Sequence, residues 1–99
     1  MRPLSDAAEV LSRLYREPFG SKPNGRYKIS REDLKSILGT FLLTEQVFMD
    51  LHRELLSRGL VITNLDCEFS VMEVSTMQGY RKVPEKVVRQ YLPIDGSKP

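Results

Sequence analysis

The chain has 99 residues, 40% of them apolar, with fifteen basic and thirteen acidic side chains and a formal charge of +2. Such a length makes one small domain, which buries only about two-thirds of the surface its unfolded chain exposes. No apolar run approaches a membrane span, and one cysteine (Cys67) with one histidine (His52) gives neither an internal disulfide nor a structural zinc site within one chain.

The opening MRPLSDAAEV puts an acid where a signal peptide needs an apolar centre, so a reducing, cytoplasmic setting is expected. There is no glycine-rich phosphate loop, no metal-ligand constellation and no activated nucleophile, so neither an enzyme nor a cofactor is expected. Charge is unevenly spread. Residues 1–35 hold eight basic and five acidic side chains, and 36–60 hold two basic and three acidic. Residues 61–80 hold three acidic and no basic, and 81–99 hold five basic and two acidic.

A helix is predicted over 6–16, with Ser5 or Asp6 as its cap and Glu9 completing a capping box with Asp6. Leu4, Ala7, Ala8, Leu11, Leu14 and Tyr15 share one face, which makes it a scaffold helix turned to the core. Pro18 prevents its continuation. Residues 19–26, FGSKPNGR, carry two glycines, a proline and an asparagine and read as a loop. Residues 26–29 alternate polar and apolar, which predicts a short strand with Tyr27 and Ile29 inward, paired with a later hairpin. Lys22, Arg26, Lys28, Arg31 and Lys35 cluster here in sequence. They form either an ordinary solvated surface or a phosphate-contacting patch at the start of the next helix.

That helix is predicted over 31–38. Ser30 is its N-cap, Asp33 takes the acidic place of a capping box, and Leu34, Ile37 and Leu38 are its apolar positions. Gly39 supplies the residue past its end. Thr44 is the N-cap of a longer helix, with Glu45 in the first turn where the macrodipole favours negative charge. Val47, Phe48, Leu51, Leu55 and Leu56 are its expected buried stripe, and Gly59 ends it. Glu45, Gln46, Met49, Asp50 and Arg53 should point outward, with His52 at the boundary. Two strands follow, 60–65 and 69–74, joined through Asp66, Cys67 and Glu68. Cys67 reads as an incidental exposed thiol. Residues 75–82 read as a loop. A last helix is predicted over 84–92, opened by Pro84 and stopped by Pro93, with Val83, Val87, Val88, Tyr91 and Leu92 as a narrow stripe flanked by Arg81, Lys82, Lys86 and Arg89. The stripe should either dock on the first helix or pair with its copy in a homodimer, with Val87, Val88 and Tyr91 at the interface. The domain is expected to span 4–93, with 94–99 as a frayed tail.

The order from Ser30 onward resembles a winged helix-turn-helix domain. The resemblance is carried by LKSILG (34–39), by LHRELLSRGLVI (51–62), and by the exit from Leu55 to Val61, and it covers roughly residues 5–75. One departure is that Val47, the first apolar residue of the third helix, comes later after Gly39 than in tight helix-turn-helix motifs, so this turn is longer. The resemblance implies an α+β fold, mostly helical: three helices, a small antiparallel β-hairpin sheet and an added C-terminal helix. It implies binding of double-stranded DNA by a small regulator of transcription or of plasmid or phage maintenance. Thr44, Gln46, Met49 and Arg53 would then enter the major groove, where glutamine bonds adenine and arginine guanine. Arg26, Lys28, Arg31 and Lys35 would hold the backbone. The competing expectation is a winged helix that docks another protein, because the hairpin is acidic and Glu45, Asp50 and Glu54 lie on the third helix.

Overall fold

A computed structural model describes residues 1–93. The expected tail, 94–99, lies outside the described residues. Among the described residues the fold is α+β, with five helices and one three-stranded antiparallel sheet. The order is α1 (Leu4–Arg16), β1 (Tyr27–Ser30), α2 (Arg31–Leu38), α3 (Glu45–Leu56), β2 (Leu60–Asn64), β3 (Glu68–Glu73), α4 (Val74–Met77) and α5 (Glu85–Arg89). Among the described residues, no helix is long and apolar enough to cross a membrane.

The helix ends follow their local chemistry. The Ser30 hydroxyl accepts from the Asp33 amide at 3.0 Å, and the Thr44 hydroxyl accepts from the Val47 amide at 3.1 Å. Each satisfies an amide that the first helical turn leaves without a partner. Gly39 closes α2 in the left-handed region at φ 72°. A side chain there is strained by the backbone itself. The Arg2 amide donates to the Leu38 carbonyl at 2.8 Å beside it, tying the N-terminus to the end of α2.

α1 departs from expectation at its start. It begins at Leu4, Pro3 occupies the cap position, and no side chain caps it. The expected Ser5 or Asp6 cap is therefore corrected: both lie inside the first turn, because Pro3 presets the entry and its carbonyl accepts from the Ala7 amide at 3.0 Å. Glu9 is used elsewhere. It binds Arg13 at 3.2 Å and Arg58 at 2.8 Å. The Arg13 hydrogen bond first, then the nearby Arg58 charge, hold its carboxyl below the ordinary range. Arg58 also donates to the Ser5 carbonyl at 3.2 Å, so the turn after α3 is fastened to the start of α1.

β3 is the central strand, with β1 and β2 on its two sides. The register pairs Tyr27 with Val71 and Ile62 with the same Val71, so these three form one row across the sheet. Alternation places this row on the face turned to the helices. Ala7, Ala8 and Leu11 of α1, Leu34 and Leu38 of α2, and Leu51 and Leu55 of α3 meet Leu60, Ile62, Phe69 and Val71 in one core. Tyr27 is buried among them and donates from its hydroxyl to the Leu11 carbonyl at 2.7 Å, bracing β1 against α1. Burial pushes its pKa well above the ordinary range.

Four further expectations are corrected. Leu56 is 45% exposed. Leu55 takes the inward position, and a neighbour about 100° round the helix cannot share it. Leu65 falls outside the strand, exposed, because Asp66 adopts φ 80° and the turn starts before it. Val74 opens the one-turn helix α4 inside the stretch read as strand end and loop. Four residues are too few for periodicity to reveal. The last helix is only Glu85–Arg89. Pro84 has extended ψ and stands at its cap, so Tyr91 and Leu92 lie beyond it.

Every residue from 77 to 93 is exposed. The radius of gyration is 17.6 Å. A compact chain of this length has about 13 Å. The C-terminal segment is therefore an arm standing off the body. Its apolar stripe does not dock on α1, whose own apolar face is already buried in the core.

Candidate nucleic-acid interface

α3 has two faces with different work. Leu51 and Leu55 are fully buried and fix its phase. Their opposite side presents Glu45, Gln46, Met49 and Arg53, all exposed, with Asp50 half-buried among them. Asp50 organises this row. Its Oδ1 accepts from Gln46 Nε2 at 2.9 Å and from Arg53 Nη1 at 3.2 Å. Both side chains expected to read bases are thus bracketed by one carboxylate on the helix surface.

The N-terminal half of α3 borders a groove that ends at the hairpin turn. Leu43, Phe48, Met49 and Phe69 give it an apolar floor, and Arg31, Thr44, Glu45 and Asn64 give it a polar rim. Phe48 stacks on His52 at 6.4 Å between ring centroids and 16° between planes, and meets Phe69 at 5.5 Å. His52 sits at the boundary, and its Nδ1 is buried without a hydrogen-bond partner among the described residues.

Arg31 belongs to this groove, but its guanidinium is engaged by the protein. Nε donates to the Asp66 carbonyl at 2.9 Å, Nη2 reaches Asn64 Oδ1 at 3.4 Å, and the planar group lies 4.9 Å from the Phe69 ring centroid. Its backbone amide donates to the Cys67 carbonyl at 3.0 Å. Asn64 Oδ1 also accepts from the Asp66 amide at 2.8 Å. These bonds hold the hairpin turn, including the positive φ of Asp66, against the start of α2.

The eight residues expected at a DNA interface fall into separate places. Thr44, Met49 and Arg31 line the groove beside the hairpin, and Gln46 and Arg53 continue along α3. Lys35 lies in another groove, with Glu32, Ser36, Gly39, Thr40 and Phe41, and pairs with Glu32 at 3.2 Å. Lys28 stands opposite Ser70 on the sheet face turned away from the helices, and pairs with Glu68 at 3.3 Å. Arg26 precedes β1 at the end far from the hairpin turn, because Ser30 is the residue that meets Glu68 beside that turn. Proximity in sequence therefore does not make 26–35 a single basic surface. Val87 and Val88 are on α5 and Tyr91 just past it, all exposed on the arm.

Two features were not singled out from sequence. Asn64 ends β2 and organises the turn through two hydrogen bonds. Phe41 and Leu42 are 98% and 70% exposed in the α2–α3 turn, while Leu43 packs against the core. The signal was three consecutive apolar residues between the Gly39 stop and the Thr44 cap. So short a connection cannot turn all three inward.

No protein-family model, no curated protein and no solved structure matches this chain.

Proposed function

We propose that the chain is a winged-helix domain that binds double-stranded DNA through the outward face of α3. One arrangement carries the reading. A helix, a strand, two helices and a hairpin follow in that order, with β1 pairing the last hairpin strand, and this leaves α3 with one face in the core and the other clear of the body. A helix so presented fits the major groove, with Gln46 and Arg53 matched to base edges and Met49 to a thymine methyl. The Asp50 bracket opposes this only weakly, because exposed hydrogen-bonded ion pairs of this spacing contribute little and exchange readily. The test is a fluorescence-anisotropy titration with random and genomic duplexes at several salt concentrations. Affinity should fall with salt, and Arg53→Ala should weaken the preferred site alone by about 1–3 kcal/mol. Absence of binding at low salt, where attraction is least screened, overturns the proposal.

The second reading is a winged helix that docks a protein. It is favoured by Phe41 and Leu42, exposed at 98% and 70% beside the N-terminal end of α3, and by the carboxylates Glu45, Asp50 and Glu54. A titration that finds no DNA binding at any salt leaves this reading standing.

A further inference from the structure

The excess positive charge of the chain is on the arm, not on the body. Residues 1–80 hold ten basic and eleven acidic side chains, and residues 81–93 hold four basic and one acidic. Five of the body's bases sit in ion pairs: Arg13 and Arg58 with Glu9, Lys28 with Glu68, Lys35 with Glu32, and Arg53 with Asp50. On the arm, Arg81, Lys82 and Lys86 enter no ion pair among the described residues. Arg89 pairs with Glu85 at 3.3 Å, and both side chains are exposed.

The arm also leaves the body at a particular place. Leu60 pairs with Glu73, and the Val74 amide donates to the Gly59 carbonyl at 2.9 Å, so β3 returns the chain to the C-terminal end of α3. The hairpin turn lies at the other end, where Asn64 borders the groove with Thr44 and Glu45. The two ends differ in charge. Residues 61–80, which include the hairpin turn, hold three acidic side chains and no basic one, whereas the arm is basic.

We propose that the arm is the phosphate-gripping element of the domain. Arg81, Lys82 and Lys86 contact the duplex backbone beside the groove that α3 occupies, and the acidic hairpin takes no part. The inference rests on the DNA reading above in taking a duplex as the partner. It assigns the backbone contacts that Arg26, Lys28, Arg31 and Lys35, dispersed over the body, do not supply together. Phosphate contacts set orientation and register without reading sequence. A four-residue irregular stretch such as 81–84 spans at most about 14 Å, the scale of a major groove about 12 Å wide, so an arm rooted at the end of α3 reaches the groove's edge. An anionic lipid surface is the other polyanion that suits a basic arm. It is the poorer match, because interfacial helices bury a broad apolar face and α5 has only five residues. Phosphate contact needs no helix; charges spread along an exposed segment are enough.

The experiment is a fluorescence-anisotropy titration of the full chain on a random and a preferred genomic duplex, from about 50 to 200 mM salt. Three variants are compared with the unaltered chain. The arm variant carries Arg81→Gln, Lys82→Gln and Lys86→Gln. The control loses three charges from the body instead, through Arg2→Gln, Arg13→Gln and Arg16→Gln. The third is Arg53→Ala. All seven positions are exposed, and circular dichroism checks that each variant folds. The arm variant should bind both duplexes at least about tenfold more weakly at low salt, and its slope of log affinity against log salt should shrink by about 2–3. The control should keep its slope within about one unit of the unaltered chain. That pattern supports the inference. A reduction of less than about one unit in the arm variant overturns it, and so do equal losses in the arm variant and the control, which make the effect one of net charge. Neither result touches the α3 reading, which Arg53→Ala tests through the preferred duplex alone. A reduced slope in the arm variant with no effect of Arg53→Ala keeps the arm and removes α3 as the reader of bases. Absence of binding at low salt overturns both. Vesicles of phosphatidylcholine with phosphatidylserine are titrated alongside. Vesicle binding that the arm variant loses, with its DNA slope intact, assigns the arm to lipid and overturns the inference.

Discussion

α3 and α5 both carry valines, leucines or aromatics at helical spacing, yet one stripe is core and the other is bare. α3 is twelve residues long, capped by Thr44, and meets α1 and the sheet through Leu51 and Leu55. α5 is five residues long, has no side-chain cap, and stands on an arm that is exposed throughout. A short helix gains little from its own hydrogen bonds, so stability must come from packing. Periodicity identifies an apolar face. Whether the same chain covers it depends on what lies opposite, which periodicity does not contain.

The largest effect should be at the packed end of that contrast. Leu55→Ala leaves a cavity between α3 and its neighbours and should cost about 2–5 kcal/mol, read as a lower urea midpoint. A change below about half a kcal/mol would place Leu55 at the surface and reverse the phase of α3.

Tyr27 tests how tightly β1 belongs to the body. Tyr27→Phe removes its bond to the Leu11 carbonyl and should cost about 1 kcal/mol at neutral pH. The folded tyrosine holds its proton to higher pH than the unfolded one, so its contribution is complete below the unfolded pKa of about 10. Above that value the unfolded chain loses the proton first, and stability falls as pH rises. Equilibrium urea unfolding from pH 8 to 11 should show a steeper alkaline loss in the unaltered chain than in Tyr27→Phe. Parallel profiles would mean that the hydroxyl is hydrated in the folded state.

The smallest effect belongs to the arm. Val88→Ala, measured at a concentration where the chain is monomeric, should change stability by less than about 0.5 kcal/mol. A loss above about 1 kcal/mol would show that the arm packs on its own body, and would erase the contrast with α3.

Much of the body was legible because its punctuation is local. Ser30 and Thr44 each cap the helix that follows, and Gly39 ends α2 in the left-handed region, as residues of those types do. The alternation at Tyr27 and Ile29 located β1, and its pairing with the hairpin was anticipated. The start of α1 was misplaced because three competent caps (Ser5, Asp6 and the turn at Pro3) compete within four positions, and sequence alone does not rank them. The spatial grouping of Arg26, Lys28, Arg31 and Lys35 was not legible at all. It depends on strand alternation, which turns Lys28 to the far side of the sheet, and on strand direction, which sends Arg26 away from the hairpin turn. Leu56 and Val74 failed at element ends, where one residue of phase decides between core and solvent.

Arg31 turns its guanidinium to the protein itself, donating to the Asp66 carbonyl and Asn64 and lying over Phe69. The turn it secures is thereby ordered before any ligand arrives. A ligand bound there would cost little loop entropy, because such preorganisation raises affinity without adding a contact. The same economy would narrow the range of ligands accepted, because a surface already set cannot reshape itself around a poorly fitting one.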